Sequence, residues 1–357
     1  GMPGHKWNGK ISNNIRAIER GELIDGERLT VNDVMPLGYN RPLNEKDTLW
    51  SPSDTLQGGF WEGGQHWSEV LRDDAISYIH EASTSDKPYF MYLAFNAPHD
   101  HRQSPEDYLE MYDLDSITLP SSFQPEHPFK ELMGNERTLR DEALAPYPRT
   151  EYAVKVHIKE YYAIISHLDA QIGKILDELE SAGQMDNTYI VFTADHGLSV
   201  GRHGLIGKQS MYDHSVRVPM IMMGPNLPKN QEINKDIYLQ DAMATALEIA
   251  EITKPEYVEF STLLPVIDGQ VSDLQKTGVY GAYRDLQRMI RKDGYKLIVY
   301  PKADQLMLFN MDEDPEELNN LAYESDQEHR VKNLIDDLIV LQQNMGDKLD
   351  LSDMIKE

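Results

Sequence analysis

The sequence contains no cysteine among its 357 residues, which excludes disulfide bonds and a cysteine nucleophile within this chain. Its apolar runs are short, and none approaches the roughly 20 residues that a transmembrane helix requires. The hydrophobic content of 40% is still enough to bury a sizeable core. The length therefore predicts one large domain together with a smaller one.

Basic residues are scarce in this chain. Lys and Arg total 34 against 60 Asp and Glu, which leaves a formal net charge of -26. A field of this sign repels polyanions, so neither nucleic acid nor an anionic membrane surface is expected as a partner. Any small anionic ligand would need a local cluster of basic side chains to offset the overall charge.

The pentapeptide Thr-Ala-Asp-His-Gly at 193–197 carries the strongest chemical signal. It follows an apolar run at 189–192 that predicts a buried strand. Open α/β folds place their ligands where such strands end. The carboxylate of Asp195 and the imidazole of His196 are both metal-ligating groups, so the pattern predicts a metal site that holds an anionic group. A strand-end Asp that caps a turn beside a surface His is the alternative reading.

The residues that follow this strand end favour a metal and anion site over the alternative of a simple turn cap. Glycines at 201, 204 and 207 predict a flexible loop, and His203 and Lys208 line it with titratable or cationic groups. A second predicted strand follows at 220–223. A strand end with metal ligands, followed by a basic loop and another strand, is a sensible arrangement for binding an oxyanion.

The periodicity along the chain predicts an α/β fold. Helical spacing is clear at 151–182, at 67–82 and near 240–250, and these helices alternate with strands at 88–96, 189–192 and 220–223. After residue 265 the pattern changes to short strands at 278–283, 288–292, 295–300 and 306–310, with a helix near 327–343. We therefore predict an α/β domain over 1–265 and a smaller α+β domain over 266–357. Residues 1–65 show little periodicity and predict an irregular surface segment.

Three ordered blocks resemble one known family. They are the 193–197 motif with the following His-Gly, Gly-Lys and Ser-Val-Arg-Val-Pro elements, a predicted strand ending in Pro98-His99, and short elements between 282 and 322. Together they are similar to the type I sulfatases, the arylsulfatase-like, formylglycine-dependent family of the alkaline phosphatase superfamily. The resemblance spans nearly the whole chain. It implies a sheet sandwiched by helices, with a small C-terminal antiparallel sheet and helix.

The resemblance also implies an activity and a set of roles. It implies a sulfuric ester hydrolase acting on a sulfated glycan or small molecule, in a periplasmic or secreted setting. If these positions have the roles of the matching residues in the family, Asp195 and His196 would bind calcium, with magnesium as the alternative. His99 and Lys208 would contact the sulfate, and His99 would help to protonate the leaving oxygen.

Further residues near these motifs are weaker candidates for substrate binding. They are Arg284, His101 and His203, and for each the alternative is an ordinary polar or supporting position in a loop or at a strand edge.

One part of the family pattern is missing. The nucleophile of these enzymes is formylglycine, made within Cys/Ser-x-Pro-x-Arg, and no such motif occurs here; the paired N-terminal aspartates are also absent. We therefore expect the chain to begin downstream of these elements, with Gly1 before Met2 as a tag remnant. We also expect the chain alone to be inactive. The open alternatives are a phosphodiesterase or phosphonate monoester hydrolase of the same superfamily, and a non-catalytic remnant.

Overall fold

The computed structural model describes residues 7–56, 59–271, 274 and 277–354. The expected tag remnant at Gly1 and Met2 lies outside the described residues. The α-helices are α1 (Gly9–Glu19), α2 (Val31–Val34), α3 (Trp67–Ser83), α4 (Glu106–Glu110), α5 (Lys130–Met133), α6 (Glu151–Ser181), α7 (Asp213–Val216), α8 (Asp241–Ile249), α9 (Leu264–Ile267) and α10 (Glu328–Asn344). The strands are β1 (Trp61–Glu62), β2 (Gln65–His66), β3 (Ile190–Thr193), β4 (Met220–Met223), β5 (Val279–Tyr283), β6 (Gln287–Lys292), β7 (Tyr295–Tyr300) and β8 (Gln305–Asn310).

The chain forms two compact units, each built from several segments. Unit 1 comprises Gly1–His127, Asn135–Thr188 and Val200–Gly207. Unit 2 comprises Pro128–Gly134, Tyr189–Ser199 and Lys208–Glu357. The sequence-based boundary at residue 265 stays a prediction. Within the described residues, no helix is both long enough and apolar enough to cross a membrane.

The long helix α6 is the central element of unit 1, and other elements of the unit pack against it. It begins where the Thr150 side chain accepts the backbone N–H of Ala153, and it ends just before Gly183, which has a left-handed φ of 68°. Its apolar face includes Ile164, which packs with Phe60 and Ala97. Helices α3 and α4 pack against it. The predicted helices at 151–182 and 67–82 are therefore confirmed to within one residue at each end.

Two predictions in unit 1 are wrong. Residues 88–96 form no strand, because a strand needs a hydrogen-bonded neighbour, and the apolar side chains of Phe90 and Tyr92 are 77% and 81% exposed. Residues 1–65 are less irregular than expected, since they contain α1. That helix is started by the Asn8 side chain, which accepts the N–H groups of Lys10 and Ile11.

Unit 2 contains both strands around the 193–197 motif. Strands β3 and β4 pair antiparallel, with Ile190 opposite Met223 and Thr193 opposite Met220. Strands β5, β6, β7 and β8 form an antiparallel sheet in that order, and α10 packs on it through an apolar core that includes Leu297, Leu308 and Leu338. The mixed α/β fold class and the predicted small C-terminal antiparallel sheet with a helix are confirmed. The strand predicted at 189–192 is present as β3, but Val191 and Phe192 are 38% and 41% exposed, so the prediction that it is buried is wrong.

Candidate active site

The Asp-His pair lies where β3 ends in unit 2. The side chain of Asp195 is 85% exposed, and its Oδ1 accepts the backbone N–H of His196 at 3.0 Å. Its Oδ2 lies 3.3 Å from His196 Nε2. The two candidate metal ligands are therefore adjacent and lie just after the end of β3, where the sequence predicted them.

Gly197 allows the chain to turn sharply after this pair. Its N–H donates to the Ser215 carbonyl at 2.8 Å, and a Cβ atom built on it would lie 2.0 Å from the His214 carbonyl oxygen. No side chain fits in that space. The glycine of the Asp-His-Gly motif is thus required for the close approach of the strand end to α7.

These two ligands do not by themselves make a calcium site. Among residues 7–354 as far as the structure describes them, no group of three or more His, Asp or Glu side chains could hold a metal ion. Calcium takes about six to eight oxygen ligands, and an imidazole nitrogen is an unusual partner for it. The donor set present in unit 2 is therefore incomplete for the ion that the family resemblance implies.

His99 lies in unit 1, between an acidic and a basic group. Its Nδ1 lies 3.0 Å from Asp100 Oδ1, and Arg140 Nη2 lies 3.3 Å from its Nε2. Because a guanidinium can only donate, Nε2 accepts this hydrogen bond and the ring proton is on Nδ1. A general-acid role for Nε2 requires that Arg140 turns away from the ring.

The buried carboxylate of Asp100 stays charged in this cluster. Burial by itself would raise the pKa of Asp100, but the neighbouring His99, Arg140 and Arg102 outweigh burial and lower it. Arg140 also pairs with Asp141 at 2.5 Å. This arrangement gives His99 a fixed orientation, and sequence reasoning identified neither Asp100 nor Arg140 as part of it.

His101 is buried in an aromatic setting in unit 1. Its ring centroid lies 4.7 Å from that of Tyr39 and 5.2 Å from that of Trp50, both in edge-on contacts. A position with two ring neighbours and little exposure is consistent with either a structural role or a contact at the edge of a binding site.

His203 is also buried in unit 1, and its backbone N–H donates to the Ser122 carbonyl at 2.8 Å. Its burial favours a supporting role for this loop over direct contact with a ligand. The neighbouring His127 has its pKa lowered to about 3, first by burial and then by His203.

The loop that leads to Lys208 is held by a buried ion pair that the sequence did not reveal. Glu142 accepts the backbone N–H groups of Ile206 at 3.1 Å and Gly207 at 2.9 Å. The guanidinium of Arg149 pairs with the same carboxylate, and both side chains are fully buried. Two backbone hydrogen bonds and one cation thus fix the residues just before Lys208. No local motif marks Glu142, because its partners come from distant segments.

The last two candidates lie in unit 2. Lys208 is half-buried at the start of the segment that continues to α7, and its carbonyl accepts the N–H of Ser210 at 2.9 Å. Arg284 is exposed in the turn between β5 and β6, with its guanidinium 5.3 Å from the Tyr283 ring. The structure therefore places His99, His101 and His203 in unit 1, and Asp195, His196, Lys208 and Arg284 in unit 2.

Two family models match this chain. The Sulfatase model matches residues 25–252, and a model for the C-terminal part of N-sulphoglucosamine sulphohydrolase matches residues 201–344. The first match alone covers more than half of the chain, and it includes His99, Asp195, His196 and Lys208.

Curated relatives agree with these matches. A sulfatase of Formosa agariphila is 25% identical over 307 residues, covering 80% of this chain and 59% of the relative. Arylsulfatase K of Xenopus laevis is 27% identical over 287 residues, covering 72% and 52%. An N-acetylglucosamine-6-O-sulfatase of Bacteroides thetaiotaomicron is 24% identical over 354 residues, covering 79% and 63%. The chain thus spans about half to three fifths of the length of these relatives.

Solved structures share the fold. The yidJ protein of Bacteroides fragilis is similar with a TM-score of 0.65 and 25% identity, over 91% of this chain and 67% of that one. A phosphonate monoester hydrolase of Agrobacterium radiobacter is similar with a TM-score of 0.68 and 19% identity, over 96% and 70%. The fold is therefore common to enzymes with different substrates.

Proposed function

This chain belongs to the sulfatase family, and we propose that the protein is a sulfuric ester hydrolase. The observation that carries the proposal is the Sulfatase match over residues 25–252, which includes the strand-end pair Asp195 and His196 as well as His99 and Lys208. Fold similarity alone would not be sufficient, since one fold hosts several reactions.

Within this function we propose charge stabilisation by two residues. Lys208 would offset the negative charge on the sulfate oxygens, where fixed positive charge has its largest effect in the transition state. His99, oriented by Asp100 and Arg140, would face the leaving oxygen. Once Arg140 moves from Nε2, that nitrogen would take up a proton from solvent and then donate it to the leaving oxygen.

We also propose a metal ion and a nucleophile, neither of which these residues complete. Asp195 and His196 would be two ligands of calcium, or alternatively of magnesium, and the ion would polarise a sulfate oxygen. Among the described residues, no third His, Asp or Glu side chain joins these two as a metal ligand. The chain has no cysteine and no Ser-x-Pro-x-Arg motif, so a formylglycine nucleophile would also have to be supplied from elsewhere.

A sulfated glycan is the substrate class that we propose, in a periplasmic or secreted setting. One relative at 24% identity is an N-acetylglucosamine-6-O-sulfatase, which supports this class. The net charge of -26 opposes any anionic substrate at long range. Recognition would therefore depend on local cations such as Lys208 and Arg284.

The second candidate function is phosphonate monoester hydrolysis. It is favoured by the structural likeness to the Agrobacterium radiobacter enzyme at a TM-score of 0.68. The C-terminal match to N-sulphoglucosamine sulphohydrolase over residues 201–344 favours the sulfatase instead.

Turnover by a form of the protein that carries a Cys/Ser-x-Pro-x-Arg motif, expressed in a host that forms formylglycine, tests both functions. We expect sulfate release from N-acetylglucosamine 6-sulfate or 4-nitrocatechol sulfate, and slower cleavage of phenyl phenylphosphonate.

His99→Ala and Lys208→Ala should each lower kcat on the order of 100-fold or more with little change in the urea midpoint. His329→Ala, in the exposed surface of α10, is the matched control and should keep full activity. Faster cleavage of the phosphonate than of the sulfates would overturn the proposal.

A further inference from the structure

Unit 1 contains a cavity of about 290 Å³ beside the N-terminal half of α6. Its walls come from the segment that includes Arg41 and Trp50, from the start of α4, and from α6 at Tyr152 and Lys159. A volume near the lower end of the range for small-molecule sites suits one ring-sized group rather than a large ligand. None of the residues discussed above as catalytic or metal-binding lines it.

The cavity has an aromatic wall that is held in place. The guanidinium of Arg41 lies 5.2 Å from the centroid of the Trp50 ring, and His101 contacts the same ring edge-on. Arg41 is itself fixed by two hydrogen bonds of 2.6 Å to the buried carboxylate of Glu160. A rigid indole offers a flat apolar surface at little entropic cost to a ligand.

Carboxylates that can accept hydrogen bonds from ligand hydroxyls also line the cavity. The carboxylate of Asp47 accepts the backbone N–H of Leu43 at 2.9 Å, and that of Glu106 accepts the Ser53 hydroxyl. Each carboxylate is thereby oriented and keeps lone pairs for a further donor. A pyranose ring combines apolar C–H faces with a rim of hydroxyl donors, which is the pattern that such a site complements.

Two polar side chains in the wall have no partner among the described residues. The ammonium of Lys159 and the phenol of Tyr152 make no hydrogen bond or ion pair there. Burial, followed by the charges of Glu45 and Asp47, raises the pKa of Tyr152, so its hydroxyl remains a donor at neutral pH. Both groups are available to a ligand hydroxyl.

The charge of the walls argues against an anion. Because Arg41 is neutralised by Glu160, the carboxylates of Asp47 and Glu106 face only one further cation, Lys159. A sulfate or phosphate group placed here would meet net negative charge. The charge balance therefore favours an uncharged polyol.

From these features we propose that the cavity is a saccharide subsite that binds an uncharged sugar ring through Trp50, Asp47, Glu106, Tyr152 and Lys159. The inference goes beyond the proposed hydrolysis, since it concerns a ring that carries no sulfate. Because binding is measured without turnover, a failure of the hydrolysis leaves it standing, and a failure of binding leaves the hydrolysis standing.

The test is ligand-observed NMR on the 357-residue chain with maltose, lactose and N,N′-diacetylchitobiose. We expect at least one disaccharide to bind with a Kd on the order of millimolar, and Trp50→Ala to weaken it by about tenfold or more. Trp61→Phe, which changes a tryptophan outside the cavity, should leave the Kd unchanged. Inorganic sulfate should not displace the sugar.

A second variant keeps the test decisive if Trp50→Ala does not fold. Tyr152→Phe removes one oxygen from a half-buried position near the start of α6, and it should weaken binding about threefold to tenfold. The proposal is overturned if none of the three sugars binds, if binding survives both cavity variants, or if sulfate competes for the site.

Discussion

The two compact units bury different kinds of side chain. Unit 2 packs α10 on a four-stranded sheet through a continuous apolar core, and its buried ion pairs include those of Lys296 with Asp213 and Glu317. Unit 1 places several charged or titratable groups at full burial along α6 and its neighbours, among them Arg102 and Glu142. Apolar burial dominates the core of unit 2, whereas the interior of unit 1 around α6 also removes many charged and titratable groups from water at a free-energy cost.

The difference indicates what each unit contributes. Buried ion pairs are poor sources of stability, but they hold groups in one orientation when every partner is present. In unit 1 they orient His99 and the backbone before Lys208. We infer that the buried ion pairs of unit 1 contribute little to its stability but fix the geometry of candidate site residues. Unit 2 is stabilised mainly by its apolar core.

The largest expected effect comes from breaking the buried pair of unit 1. Arg149→Met leaves the carboxylate of Glu142 buried without its cation, and should cost about 3–5 kcal/mol of unfolding free energy. Urea denaturation of the purified chain measures this. The control is Arg20→Met, which breaks an exposed, solvent-screened pair with Glu22 and should leave the urea midpoint nearly unchanged. Equal effects of the two changes would remove the distinction between the units.

A slightly smaller loss of unfolding free energy is expected when a side chain in the apolar core of unit 2 is shortened. Leu338 is fully buried on α10, so Leu338→Ala should cost about 2–5 kcal/mol through lost burial and the cavity that remains. Val340→Ala, at a half-exposed position on the same helix, should cost under about 1 kcal/mol. The urea midpoints at pH 7 decide this. A loss for Leu338→Ala no greater than that for Val340→Ala would contradict the apolar-core account.

Acidification should weaken unit 1 through its buried histidines. Burial, with a contribution from His167, lowers the pKa of His66 to about 4, and burial first of all lowers that of His157. The unfolded chain binds these protons below about pH 6.5 and the folded chain does not, so stability is complete above that pH and falls towards pH 4. From pH 7 to 5 the loss should be about 2 kcal/mol for His66.

The matched variants for this pH test are His66→Gln and His329→Gln. The first removes a buried histidine of unit 1, so the difference in unfolding free energy between pH 7 and 5 should shrink by on the order of 1–2 kcal/mol. The second removes an exposed histidine of unit 2 and should leave that difference unchanged. An unchanged difference in His66→Gln would show that this imidazole does not stay neutral in the folded chain.

The smallest expected effect is that of calcium on the chain. Because the described residues offer only Asp195 and His196 as neighbouring ligands, the Kd should be weaker than about 10⁻⁴ M, and Asp195→Ala should change the heat of titration little. Calorimetry on the 357-residue chain measures both. Sub-micromolar affinity that is lost in Asp195→Ala would mean that other residues of this chain complete the site.

Periodic elements of this fold were predictable from the sequence, and long-range polar pairs were not. Helix α6 and strand β4 follow directly from apolar spacing and short apolar runs. The strand predicted at 88–96 was wrong because an apolar run specifies a strand only together with a neighbour. The pairs Arg41–Glu160 and Arg102–His157 join residues 119 and 55 positions apart, and no local pattern marks such partners.

The same holds for the candidate site, where a local motif was predictable and a long-range hydrogen bond was not. The Asp195–His196 strand end was predictable because motif and strand are adjacent in sequence, and the structure places both as expected. Arg140, which hydrogen-bonds His99 Nε2, lies 41 residues away in an irregular segment and could not be assigned to His99 in advance.

The most direct test of the functional account is a multiple-turnover assay of the purified 357-residue chain with 4-nitrocatechol sulfate and added calcium. The chain contains no Cys/Ser-x-Pro-x-Arg motif, and therefore no nucleophile of the kind that the family resemblance implies. We therefore expect no release of 4-nitrocatechol above the uncatalysed background. Sustained release by the chain alone, abolished in His99→Ala, would contradict it, because the nucleophile would then lie among these residues.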